Sequence, residues 1–100
     1  PLLVLDVGNT RLKWGLYARA QRNAELLAGG AMLLEEVDQL SRVLTKQPRA
    51  ERVIGCAVAG AVVTARVCAE LDALGLRCNW ISAQAAQEVG ILGQHAPDQA

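Results

Sequence analysis

The sequence predicts a single α/β domain built on a mixed sheet, and three observations carry that expectation. Its 100 residues allow one core and leave little room for two. The interior must be aliphatic, since 52% of residues are hydrophobic and only 3% aromatic, as is usual where helices pack on a largely parallel sheet. The periodicity also changes along the chain, from two-residue alternation at the start to helical stripes interleaved with short apolar runs. That order describes three antiparallel strands followed by parallel crossovers.

Leu2 to Val7 is apolar on both alternating faces, which suits a central strand covered on each side. Arg11 to Ala18 alternates more visibly, with Leu12, Trp14 and Leu16 on one face and Arg11, Lys13, Gly15 and Tyr17 on the other. Too few residues separate these strands for a crossover helix, so they form an antiparallel hairpin. Gly8 and Asn9 are expected to supply the positive φ of a type II′ turn. Within Gln21 to Leu34 a third strand follows a polar turn at Arg22 and Asn23, although "GAMLL" also reads as a lead into the next helix.

From Glu35 to Gln47 the stripe Val37, Leu40, Val43 and Leu44 predicts a helix, with Glu35 and Glu36 at its favourable end and Pro48 closing it. "RVIGCAVA", Arg52 to Ala59, is short, apolar and β-branched, as a buried strand should be. Gly60 turns the chain into a second helix from Ala61 to Leu74, with Val63, Val67, Leu71 and Leu74 on one side and Gly75 as its stop. A last strand is expected at Cys78 to Ile81. From Ser82 to Ala100 the pattern fades, and the chain reads as the N-terminal part of a longer protein.

Composition narrows the function classes. Ten basic and ten acidic residues cancel, so the electrostatic footprint of a nucleic-acid binder is missing. Cys56, Cys68 and Cys78 are odd in number and widely spaced, which indicates neither a disulfide framework nor a zinc site and suits a reducing cytoplasm. No apolar run approaches the roughly 20 residues that span a bilayer, so no membrane partner is expected.

The chemistry gathers in "DVGNTRLK", Asp6 to Lys13. An aspartate at the end of a doubly covered strand is costly to desolvate and calls for hydrogen bonds, a cation or a metal. A turn of small residues at Gly8, Asn9 and Thr10 exposes backbone N–H groups that can cradle phosphate oxygens. Arg11 and Lys13 place positive charge beside it, while Asp6 can hold Mg²⁺ directly or through water. The same residues also read as a plain hairpin, with Asp6 accepting turn hydrogen bonds and the two cations on a solvated face. Both readings stand on the residues alone.

The segment resembles the D-x-G-N-T-x-x-K phosphate motif of type III pantothenate kinases, members of the superfamily of actin, acetate kinase and sugar kinases. "RVIGCAVAG" followed by a helix resembles that family's next strand-helix junction. The resemblance covers about Leu2 to Ile81 and implies a ribonuclease H-like domain. It implies transfer of the ATP γ-phosphate to pantothenate, the first step toward coenzyme A, with Mg²⁺ and a monovalent cation such as potassium. It further implies that Asp6, Val7, Gly8, Asn9, Thr10, Arg11, Leu12 and Lys13 bind the ATP phosphates, with Asp6 linked to the metal. The family works as a cytoplasmic homodimer whose active site lies between two domains.

The tail departs from the family, because "GILGQHAPDQA" lacks the tyrosine and the G-x-D-R that supply the proton acceptor. Pro97 corresponds at best to a family proline, and Gln94 and His95 match the tyrosine poorly, so no catalytic base is assigned and the base is expected beyond Ala100. This piece alone is expected to be inactive or nearly so. Two alternatives stay open, a kinase of another small acceptor on the same fold and a non-catalytic regulatory protein. His95 reads as a loop residue, Cys56 and Cys68 as small buried hydrophobes, and Trp14 and Trp80 as core or interface anchors.

Overall fold

The structure, a computed structural model, describes residues 1–82 together with Gln84 and Ala85. Gln94, His95 and Pro97 lie outside the described residues. Five strands form one sheet in the order β3-β2-β1-β4-β5: β1 is Leu2–Val7, β2 Arg11–Tyr17, β3 Leu26–Leu33, β4 Arg52–Ala57 and β5 Cys78–Trp80. β1 pairs antiparallel with β2 and parallel with β4, β2 pairs antiparallel with β3, and β4 pairs parallel with β5. The expected mixed sheet is therefore present, with β1 at its centre.

That central place explains why β1 is apolar on both faces. Leu3, Leu5 and Val7 join Leu12, Trp14, Leu16 and Val53 beneath the helices, against Val37, Leu40, Leu44, Val67 and Leu71. Leu2 and Val4 face the other way and cluster with Tyr17 and Cys56. Both tryptophans serve packing: Trp14 stands opposite Gly30 and Trp80 opposite Gly55. A Cβ added at Gly30 would lie 2.9 Å from Trp14 Nε1, so each indole occupies the space a side chain would need.

The helix expected from Glu35 to Gln47 is instead composite. A 3-10 helix, Leu34–Gln39, leads into α1, Leu40–Thr45. Residues three apart eclipse one another in a 3-10 turn, which stacks the fully buried Val37 and Leu40 on one side before α1 carries the stripe on to Leu44. Glu70 in α2, Ala61–Ala73, accepts the Ser41 N–H at 2.9 Å and so caps the first turn of α1 from a neighbouring helix.

α2 ends as predicted. Gly75 has φ +72°, its N–H donates to Asp72 O at 2.9 Å, and the Leu76 N–H donates to Leu71 O at 2.9 Å, the paired bonds of a Schellman stop. Arg49 donates to the Leu74 carbonyl at 2.7 Å and covers an oxygen the helix leaves unpaired. At the polar turn before β3, Asn23 adopts φ 64°. β3 then forms a true strand, with a register shift opposite Leu16 and Tyr17.

Candidate functional site

Asp6 sits one residue from the end of β1, half-buried, with Lys13 of β2 opposite on one side and Cys56 of β4 on the other. Hairpin connection dictates the first pairing and parallel crossover the second. Because facing residues share a sheet face, Asp6, Lys13 and Cys56 form one row, and Arg11 follows Lys13 on the same face.

The connecting turn is pinned on both flanks. The Gly8 N–H donates to Arg11 O at 2.8 Å, the Leu34 N–H to Thr10 O at 3.0 Å and the Val58 N–H to Val7 O at 2.9 Å. Gly8 and Asn9 do not adopt positive φ, so the expected type II′ turn does not form. The physical reason is the register: the ladder closes at Gly8 and Arg11, one residue further along than expected, so Gly8 belongs to the ladder and Asn9 and Thr10 form the loop. The Gly8 N–H is also consumed within the hairpin. The backbone donors turned to solvent are those of the exposed Asn9 and Thr10, while the side chains of Val7 and Leu12 are fully buried in the core.

Burial, with Asp6 adding to it, pushes the Cys56 thiol above its ordinary pKa. That keeps it neutral beside the carboxylate and makes it a poor nucleophile. Its contact with the site was not legible in sequence, since only the β1–β4 register places it there. Cys78 is pushed up to about 12 by burial and then by nearby Cys68; of the two cysteines read as small buried hydrophobes, Cys56 is buried and Cys68 half-buried.

A metal must fit what is present. Among the described residues no three His, Cys, Asp or Glu side chains converge. Asp6 is thus a lone carboxylate, a donor set that suits Mg²⁺ retaining water and sharing nucleotide phosphates rather than an all-protein cage. The site lies at the exposed end of the central strands. A cavity of about 190 Å³ lies instead near the opposite end of the sheet, beneath Leu44, Leu74 and Leu76 and over Leu3 and Leu16.

The family model described as type III pantothenate kinase matches residues 2–98. The chain belongs to the type III pantothenate kinase family. It is 43% identical over 83 residues to the type III pantothenate kinase of Leptothrix cholodnii, covering 82% of this chain and 32% of that protein. With the type III pantothenate kinase of Methylibium petroleiphilum it shares 41% over 90 residues, covering 86% of this chain and 35% of that one. The chain thus spans about a third of the length of these curated relatives. Among solved structures, T. thermophilus RuvC in complex with a Holliday junction substrate superposes with a TM-score of 0.64 at 16% identity, covering 88% of this chain and 69% of that one. At that identity the likeness concerns the fold alone. Membership of the family accounts for the sheet order, in which the three-stranded antiparallel start and the parallel crossovers are those of an actin and sugar kinase domain.

Proposed function

We propose that the complete protein transfers the γ-phosphate of ATP to the hydroxyl of pantothenate, the first step of coenzyme A synthesis, and that this chain supplies the ATP-phosphate side of the site. One observation carries the proposal: in a chain of this family, Asp6 and Lys13 flank an exposed turn on one sheet face. Phosphoryl transfer asks the protein mainly for positioning and for neutralisation of developing charge, and these residues supply both.

Within Asp6 to Lys13 the roles divide by burial. Asn9 and Thr10 offer N–H groups to phosphate oxygens, and Arg11 and Lys13 offer charge. Val7, Gly8 and Leu12 act through the backbone that shapes the turn. Asp6 would hold Mg²⁺ through water, and the ion would neutralise the phosphates of the bound nucleotide. Potassium belongs to the reading by family analogy, as do the homodimer and the cytoplasmic setting. The free state of Cys56, Cys68 and Cys78 is compatible with that setting, and the zero net charge speaks against a nucleic-acid partner.

The test is ATP-dependent phosphorylation of pantothenate by the complete protein with Mg²⁺ and potassium present. Formation of phosphopantothenate is expected. No product from folded protein, with turnover of a different small acceptor, would replace pantothenate in this reading. No turnover of any acceptor would favour the regulatory alternative.

A further inference from the structure

The cavity of about 190 Å³ stands apart from the phosphate motif. Leu3 pairs with Leu16 in the ladder that pairs Asp6 with Lys13, but toward its other end, and these two fully buried leucines line the cavity from the sheet. Leu44 at the end of α1 and Leu74 and Leu76 at the end of α2 line it from the helices. Protein interiors hold few voids larger than a water molecule. An aliphatic cavity of about 150 Å³ already admits benzene, so this one has room for a chain of roughly six to eight carbons.

The polar side chains of the lining, Thr45, Gln47 and Arg49, all belong to one short stretch at and after the end of α1. A bound molecule therefore has a single direction in which to turn a polar end. Arg49 donates to Leu74 O at 2.7 Å and to Gly75 O at 3.4 Å, which offsets the partial negative charge of the α2 terminus and leaves further guanidinium N–H groups to offer. A shallow depression continues from the cavity, sharing Arg49, Ala50 and Leu76 with it and adding Arg77 and Glu51. Arginine thus outnumbers acid two to one among the described residues lining these two hollows. A carboxylate is the group a guanidinium fork receives best.

We propose that this cavity binds an aliphatic monocarboxylate of roughly six to eight carbons, its chain against Leu3, Leu16, Leu44 and Leu76 and its carboxylate at Arg49. Arg77 adds charge from the adjoining depression. The site is separate from that of the proposed function, so it is read by binding and not by turnover.

The experiment is calorimetric titration of the complete protein with butanoate, hexanoate, octanoate and decanoate, and with octanol as the uncharged chain. Each added CH₂ is expected to tighten binding about fourfold as far as octanoate, with little further gain for decanoate once the cavity is full. Octanol is expected to bind about tenfold more weakly than octanoate. Arg49→Gln should weaken octanoate about tenfold and leave octanol unchanged, whereas Ala50→Leu, which fills the cavity, should abolish both. Leu76→Phe, at a half-buried position of the same lining, gives that second reading should Ala50→Leu fail to fold. Equal affinity for octanol and octanoate would overturn the assignment of an anion. Binding that survives the filled cavity would put the molecule elsewhere and overturn the site. No binding to folded protein would overturn it too, including the case in which another segment of the complete protein fills the space.

Discussion

Asp6 and Lys13 are direct partners across the β1–β2 ladder, the last polar pair before the Gly8 to Thr10 turn. The bond from the Gly8 N–H to Arg11 O identifies the alternation of that ladder, which makes Asp6 and Lys13 a hydrogen-bonded pair with Cα atoms about 5.5 Å apart. One carboxylate and one ammonium are thereby held at fixed spacing beside exposed N–H groups, the minimum needed to place a metal on one side of a phosphate and a cation on the other.

Asp6→Asn should therefore lower pantothenate phosphorylation by the complete protein roughly a hundredfold or more, with little change in thermal midpoint. Lys13→Met should raise the KM for ATP as well as lower kcat. Steady-state kinetics with varied ATP and Mg²⁺ checks both. Turnover of the Asn variant within a few-fold of wild type would remove Asp6 from the metal role.

Packing on the opposite, helix-covered face of β4 makes a sharper stability prediction. A Cβ at Gly55 would stand 2.6 Å from the Trp80 ring and 2.7 Å from Cys78 Sγ, whereas one at Gly60 would meet nothing within 4 Å. Gly55→Ala should cost about 1–3 kcal/mol and Gly60→Ala less than about 1 kcal/mol. Urea unfolding followed by tryptophan fluorescence separates them, and equal losses would contradict the account of Trp80.

Glu70 accepts the Ser41 N–H at 2.9 Å although 29 residues separate them. Removing that acceptor with Glu70→Ala should destabilise the fold by about 1 kcal/mol, while Glu70→Gln, which keeps an oxygen, should retain most of the stability. Chemical denaturation of the two variants beside wild type is the measurement.

Alkaline pH should weaken the protein. Cys78 is pushed from 9.0 to about 12, so the unfolded chain loses this proton first and the folded chain binds more protons between those values. Its contribution is complete below about pH 9 and declines as pH rises toward about 12. Burial moves Tyr17 and Cys56 in the same direction. Unfolding free energy measured from about pH 8 to about pH 11 should fall, and less steeply for Cys78→Ala; a flat profile would contradict the burial of this thiol.

Much of the architecture was legible because its signals are local. Alternation around Trp14, the Gly75 stop and the apolar run Leu2 to Leu5 each depend on residues within a turn or a strand of one another. Two misreadings and one ambiguity share a different cause. Gly8 and Asn9 suggested a primed turn, yet the ladder closes one residue further along and puts Asn9 and Thr10 in the loop. The stripe from Val37 to Leu44 suggested one helix, yet its first half tightened to 3-10 geometry as Val37 and Leu40 stacked against the sheet. "GAMLL" was ambiguous until β2 offered it an edge.

By itself the sequence determined the motif Asp6 to Lys13, the β1–β2 hairpin and the α/β class, because a short connection excludes a crossover and periodicity reports burial, whereas the register that sets Asp6 opposite Lys13 was decided by where the ladder closes. Only tertiary structure decided that Cys56 stands beside Asp6, that Glu70 caps α1 and that an uncharged β3 lies at the sheet edge. Those relations join residues distant in sequence, and they arise when apolar faces pack, a choice made by the whole chain and by no single segment of it.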